Sequence, residues 1–217
     1  DLAPLLERMA KAEVLARVLT DVAHSASVLN PSPIRVDTSY FNTPVDQLVP
    51  IGSDVSPVRE CRRILGSRSE SAPGSLPDNA RLKQCDAVGF QAKGDVRGSH
   101  DVNRIHIDAQ YCVHTAYERI EGIANALPLG PEMVLCSDCP GGYSAGAERL
   151  FVMVTESQAN AEPLNLEGLI ETCEAEAPTR GAALRDARAF FDTLGKRPDT
   201  RGAFGSFAVA DIWVDSW

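Results

Sequence analysis

The sequence predicts an α/β fold in which a mixed central β-sheet is flanked by helices. Residues 2–29 carry apolar side chains at the three- and four-residue spacing of an amphipathic helix. Short segments rich in β-branched and aromatic residues then recur along the chain, with helix-like segments between them. We expect one domain over residues 1–217, made of an N-terminal helical segment at 1–30 and an α/β core at 31–217.

Composition and charge restrict the class of protein. The chain has 217 residues, of which 44% are hydrophobic and 24% charged, as in ordinary globular domains. The net charge of -9 argues against binding of nucleic acid by the whole surface, because such proteins present a basic face. No apolar run is long enough to cross a bilayer, so no membrane partner is expected, and the first residues show no signal peptide.

The predicted elements follow one another with short punctuating segments. Pro31 and Pro33 end the first helix. Residues 42–83 are rich in Pro, Ser, Gly and Asp and are expected to be irregular, apart from a short helix. The predicted helices cover 2–29, 57–65, 115–127, 164–176 and 179–194, and the predicted strands cover 34–41, 85–92, 103–109, 132–135, 150–155 and 204–214, with a turn at 94–100.

Three residues form a candidate zinc site. Hydrolytic zinc takes three protein ligands and keeps a fourth position for water. His114 opens the predicted helix 115–127, and Cys136 and Cys139 form a C-x-x-C directly after the predicted strand 132–135. The 22 residues from His114 to Cys136 suffice for that helix, a turn and the strand, so all three ligands would meet at one end of the sheet. Taken singly, the cysteines also suit a disulfide, a redox pair or buried thiols.

This pattern resembles the cytidine deaminase-like superfamily, whose signature is H-x-E followed by a helix, a strand and P-C-x-x-C. The matching segments are residues 114–116 and 135–139, and the compact spacing is most similar to the deaminase domains of bacterial toxins. The resemblance implies a three-layer deaminase-like fold, a Zn²⁺ cofactor and hydrolytic release of ammonia from cytosine. Ala116 stands where the family has its proton-transferring Glu, so the chain as written is expected to have little or no activity, either as an inactivated variant or as a natural non-catalytic relative.

The same resemblance implies a substrate and partners. Toxin-type deaminases often act on polynucleotides, so the expected substrate is cytosine in single- or double-stranded DNA, and an immunity protein is an expected partner. Such a domain would belong to a secreted effector or toxin that acts in the cytoplasm of a target cell. Asn42, after the first predicted strand, is a candidate contact to the sugar, and Tyr143 and Ser144 are candidates for lining the pocket.

Two other functions remain open at this stage. The segment 142–146 reads G-Y-S-A-G and matches the nucleophile elbow of serine hydrolases, with Ser144 as the nucleophile. Every histidine precedes Ser144, whereas that fold places its histidine after the serine. The other alternative is a non-enzymatic binding protein stabilised by zinc or by disulfides, which the six cysteines would allow.

Overall fold

The fold is mixed α/β, as predicted. A computed structural model describes residues 2–29, 34–42, 61, 63, 74–76, 80–83, 85–130, 133–134, 146–157, 163–167 and 206–214. Its elements are α1 (Ala3–Leu29), β1 (Arg35–Phe41), β2 (Gly74–Ser75), β3 (Ala80–Leu82), β4 (Ala87–Ile107), β5 (Val113–Pro128), β6 (Met133–Val134), β7 (Gly146–Glu156) and β8 (Ser206–Val214). The predicted helix 179–194 and almost all of the predicted helices 57–65 and 164–176 lie outside the described residues.

The sheet is built around β4. Strand β5 pairs with β4 along residues 91–107, while β1 pairs with residues 87–93 and β7 with residues 100–107. Strand β5 therefore occupies one edge of β4. The other edge is shared by β1, which pairs near the start of β4, and β7, which pairs near its end. Strand β8 continues the sheet from β7, and β3 adds to β8 in parallel while the other pairs are antiparallel.

The helix α1 packs on the sheet through small residues. Ala12, Ala16 and Leu19 are buried against the sheet, whereas Leu6 and Val14, which belong to the helix-like apolar spacing, are 57% and 51% exposed. The alanines allow the helix backbone to approach the strands closely. Among the described residues, no helix has the length and apolar character that a membrane crossing requires.

The helix predicted over 115–127 is wrong, because these residues belong to β5. Ile120 and Ile123 both pack on the apolar core although residues three apart in a regular strand face opposite sides. The pairing of β4 with β5 is irregular between Val96 and Ser99, and Gly122 opposite this irregularity has φ +73°. At the irregularity, the alternation of side chains between the two faces of the sheet shifts by one residue. Ile120 and Ile123 therefore face the same side of the strand, at the three-residue spacing that is typical of a helix.

The same irregularity explains a second difference from prediction. We expected strands over 85–92 and 103–109 with a turn at 94–100, but β4 runs without a break through residues 87–107. Gly94 and Gly98, which suggested the turn, lie in and beside the irregular stretch, and Gly98 has φ +94°. These glycines bend the strand rather than end it.

Two apolar clusters lie on the two faces of the sheet. The larger one contains Val102, Val152 and Val154 from the centre of the sheet and does not include α1. The smaller one contains Phe151 and Met153 together with the buried side of α1. Along β7, therefore, the odd-numbered residues point to the face of the sheet that α1 covers, called the helix face below. The even-numbered residues point to the opposite face.

A buried polar group fixes the segment 163–167 to the sheet. Asn103 is 1% exposed, donates from Nδ2 to the Leu164 carbonyl at 2.8 Å and accepts from the Leu166 amide at 2.9 Å. Asp101, two residues earlier on β4, accepts from the Leu164 amide at 3.1 Å. Buried polar side chains need such partners, so this segment is held by hydrogen bonds as well as by Leu166 packing in the core.

Disulfides link parts of the chain that are distant in sequence. Cys61 and Cys85 form one bond across a sequence separation of 24 residues, and both are buried. Cys112 also belongs to a disulfide, whose other half lies outside the described residues. The part of the chain that the structure describes holds no free thiol.

Candidate binding cleft

Two histidine–carboxylate pairs lie side by side at one end of β4. His106 Nε2 is 2.7 Å from Glu148 Oε2, and His114 Nε2 is 3.1 Å from Asp108 Oδ2. The two imidazole rings stack with their centroids 5.3 Å apart, because His106 and His114 are directly opposite one another in the β4–β5 ladder. Long-range pairing of β5, β4 and β7 thus brings four polar side chains together.

Asp108 also closes the turn between β4 and β5. Its Oδ1 accepts hydrogen bonds from the backbone amides of Gln110 and Cys112, each at 2.8 Å. Such side-chain to backbone bonds are typical of aspartate in turns. Burial favours a higher pKa for the Asp108 carboxyl, but the hydrogen bonds from His114 and these amides outweigh it and lower the pKa.

Glu148 occupies the most enclosed position of the cluster. Its side chain has no exposed surface, and within the described residues its Oε1 has no hydrogen-bond partner. The arrangement suits a structural pair with His106 better than an accessible acid or base.

A cleft of about 640 Å³ opens between α1 and the helix face of the sheet. Its residues come from α1, from the β4–β5 turn, and from strands β3, β4, β7 and β8. They are Ala12, Glu13, Ala16, Arg81, Ile107, Asp108, Tyr111, Ala147, Glu148, Arg149, Ile212 and Trp213. This volume lies within the range of about 300 to 1,000 Å³ that is usual for small-molecule sites.

The strand register places an aromatic side chain between two cationic ones. Trp213 is opposite Ala147 in the β7–β8 ladder and beside Arg81 in the β3–β8 ladder, while Arg149 lies two residues along β7. Ile107 is opposite Arg149 and belongs to the cluster under α1, so these residues share the helix face. Trp213 is 47% exposed, and the neighbouring Ala147 leaves room above it.

The acidic residues of the cleft are largely engaged elsewhere. The Asp108 carboxylate is bound by His114 and by the turn amides. Alternation along β7 directs Glu148 to the face opposite α1, where it meets His106. Glu13 on α1 is exposed and is the remaining described carboxylate of the lining.

His114 and Ala116 lie two residues apart on β5, not at the start of a helix. In a strand, residues i and i+2 point to the same face, so a side chain at position 116 would lie beside that of His114. Cys136 and Cys139 lie outside the described residues, so the zinc site stays a prediction. Across the residues that the structure does describe, no group of three or more His, Cys, Asp or Glu side chains is placed to hold a metal ion.

The structure does not bring Asn42 together with His114. Asn42 follows β1, whose Phe41 pairs with Ala87 at the first residue of β4, whereas His114 pairs with His106 near the last. The Asn42 side chain accepts a hydrogen bond from Lys83. Tyr143 and Ser144 lie outside the described residues. Gly146, which ends the G-Y-S-A-G segment, begins β7, and a Cβ added at this position would lie 2.8 Å from the Cβ of Ala109.

Sequence reasoning missed the residues that make the cleft. Arg81, Arg149 and Trp213 are far apart in the chain and belong to no motif, and only the pairing of β3, β8 and β7 makes them neighbours. The sequence does give a weak indication of the histidine–carboxylate pairs. His106 interrupts one apolar strand segment, and Glu148 borders another. Such residues indicate a buried polar pair but do not reveal the partner.

No protein-family model and no curated protein sequence matches this chain.

Proposed function

We propose that this domain is a non-enzymatic binding module, stabilised by disulfides, that holds its ligand in the cleft between α1 and the sheet. The observation that carries the proposal is the cleft itself, with a half-exposed Trp213 at its floor. A large aromatic side chain left accessible beside a concave surface is a common feature of binding sites. The bond between Cys61 and Cys85 and the one at Cys112 support the disulfide-stabilised class.

The paired strands and hydrogen bonds around the cleft support the same function. Its floor consists of paired strands, and its wall is α1, seated on the sheet through Ala12 and Ala16. The turn that contributes Tyr111 is closed by Asp108 through two amide hydrogen bonds and one to His114. A preformed site costs little ordering entropy when it binds, which favours affinity for small ligands.

The zinc-dependent deaminase is the competing proposal. It needs thiolates at Cys136 and Cys139, a glutamate at position 116 and a three-layer fold. The DNA substrate and the immunity protein are proposed only as part of this alternative. Its spacing argument depended on a helix where β5 lies. Mass-spectrometric mapping of the disulfides, together with zinc analysis, separates the two proposals: both cysteines in disulfides favour the binding module, and one zinc per chain with free thiolates favours the deaminase.

Filling the cleft tests the proposed function. Ala147 is exposed at the cleft, so Ala147→Phe is expected to leave the free energy of unfolding within about 0.5 kcal/mol of the original while blocking the space above Trp213. A panel of small aromatic compounds that raises the melting temperature of the unaltered protein should fail to do so with this variant.

The matched control is Ala124→Phe, which adds the same ring at an exposed position of β5 away from the cleft. This variant should keep the response to every compound of the panel. The proposal is wrong if compounds stabilise the Ala147→Phe variant as well as the original protein.

A further inference from the structure

We propose that Lys83 and Asn42 become joined by a covalent amide bond between their side chains, with Asp86 as the group that carries the proton. Lys83 Nζ donates a hydrogen bond to Asn42 Oδ1 and lies 3.2 Å from Asp86 Oδ1. An amine, a side-chain amide and a carboxylate are the three groups that transfer of an amide onto an amine requires. None of the three residues lines the cleft, so this inference is independent of the proposed function.

The backbone brings the three side chains together from two directions. Phe41 pairs with Ala87, and this antiparallel register, continued by one residue, sets Asn42 opposite Asp86. Lys83 and Asp86 close a turn before β4. The Asp86 amide donates to the Lys83 carbonyl at 3.0 Å, and the Lys83 amide donates to Asp86 Oδ2 at 3.0 Å.

Asp86 is fixed in the position that a proton carrier needs. Its side chain is completely buried, and Tyr40 Oη donates to its Oδ2 at 3.1 Å, whereas its Oδ1 faces Lys83 Nζ. The neighbouring Cys85 is bonded to Cys61, which holds the turn from its other side. A carboxylate oxygen 3.2 Å from the nitrogen is within the reach of direct proton transfer.

The reaction exchanges one amide for another and needs no further reactant. Asp86 takes one proton from the Lys83 ammonium group, and the freed lone pair of Nζ forms a bond to Asn42 Cγ. The bond between Cγ and Nδ2 then breaks as Asp86 delivers that proton to Nδ2, which leaves as ammonia. The second proton of Nζ leaves with the ammonia as ammonium, and the third stays on the new amide.

Proximity makes this reaction feasible. Side-chain amides resist free amines in water, but groups held in contact can react as if their concentration were about 10⁵ to 10⁸ M. Asn42 Cγ is the atom bonded to Oδ1, so the hydrogen bond from Lys83 places the nucleophile beside the carbon that it attacks. The side chains therefore meet with the bond-forming atoms as neighbours.

The bond would link two strands that are distant in the sheet. The order of paired strands is β2-β1-β4-β7-β8-β3, so β1 and β3 lie towards opposite ends of it. Asn42 follows β1 and Lys83 follows β3. An amide bond between them would close a loop over residues 42–83 and would restrict the unfolded chain as a disulfide does.

Mass spectrometry of the reduced and denatured full chain tests the proposal. The mass should be lower than the value calculated from the sequence by one ammonia, and a proteolytic digest should contain a branched peptide that joins Lys83 to Asn42. Lys83→Arg keeps a positive charge beside Asp86 but supplies no nucleophilic amine, and Asn42→Ala removes the carbon that is attacked. Both variants should have their full calculated masses, and Lys83→Arg should melt about 10 °C below the original protein.

Lys93→Arg is the matched control, because Lys93 Nζ pairs with Asp37 Oδ2 at 2.8 Å between the same two strands, β1 and β4. It should keep both the loss of ammonia and the branched peptide. Asp86→Asn preserves the shape of the buried side chain but cannot take the proton, so most of its chains should stay at the full mass.

The outcome does not depend on whether the Asp86 variant folds, because Asn42 is exposed and Lys83 is only partly buried. Formation of a succinimide at Asn42 would also release ammonia, but that loss would persist in the Lys83→Arg variant and would yield no branched peptide. Such a persistent loss, or a folded original protein at its full calculated mass, would overturn the proposal.

Discussion

Replacing Asp101 by alanine is expected to lower the free energy of unfolding by about 3 kcal/mol, the usual cost of breaking a buried charge network. Asp101 is 3% exposed and accepts hydrogen bonds from Tyr117 Oη at 2.7 Å, Arg119 Nε at 3.0 Å and the Leu164 amide at 3.1 Å. The variant would leave three donors without this acceptor and would release the segment 163–167 from β4. Urea unfolding followed by circular dichroism measures the loss.

The Asp101 carboxylate also makes the free energy of unfolding depend on pH. Burial favours a higher pKa for Asp101, but hydrogen bonds from Ser157, Arg119 and Tyr117 outweigh it, so the folded pKa is lower than the unfolded one. Its contribution is therefore complete above an unfolded pKa of about 3.9 and is lost as the pH falls through the folded pKa. The alanine variant should lose less stability between pH 5 and pH 2 than the original protein. Asp95→Ala, at an exposed position of the same strand, should leave the free energy of unfolding unchanged.

Removing the bond between Cys61 and Cys85 is expected to cost about 3 kcal/mol, because the unfolded chain loses the constraint of a loop of 24 residues. The bond joins Cys61 to the start of β4. Beside it, Asp86 is completely buried and accepts from Tyr40 Oη at 3.1 Å and the Lys83 amide at 3.0 Å. The double variant Cys61→Ala with Cys85→Ala should unfold at lower urea concentration with this end of the sheet loosened.

Hydrogen exchange localises the effect of that change. Amides of β1 and of the first residues of β4 should exchange faster in the double variant, whereas those at the β4–β5 turn, which Asp108 closes, should keep their protection. Unchanged urea midpoints, or faster exchange spread equally over both ends of β4, would contradict the assignment of this disulfide to local stabilisation.

The fold was predictable where local pattern and tertiary packing agree. The helix α1 and the strands β1, β7 and β8 were located within a few residues, since their periodicity matches the faces that they bury. Strand β5 was not predicted, because the irregularity opposite Gly122 places Ile120 and Ile123 on the same face of the sheet. A shift of the side-chain alternation within a strand depends on the strand with which it pairs. A single sequence does not show which segment that partner strand is.

The candidate site shows the same division. His114 was singled out for its distance from Cys136, yet its described partner is Asp108, six residues earlier in the chain. That contact follows from a hairpin turn, whereas the expected zinc site followed from a helix. The cleft residues Arg81 and Trp213 carry no local signal at all, since one short parallel pairing between β3 and β8 places them together.

The most direct test of the binding module is a map of amide and indole chemical shifts during titration with the aromatic compound that most raises the melting temperature. The account predicts changes at the Trp213 indole, at Arg81, at residues 147–149 and at the β4–β5 turn, all of which border the cleft. It also predicts no change at Val102 and Val154, which lie in the core on the opposite face. Changes confined to that opposite face, or none at the Trp213 indole at saturation, would contradict the assignment of the cleft as the binding site.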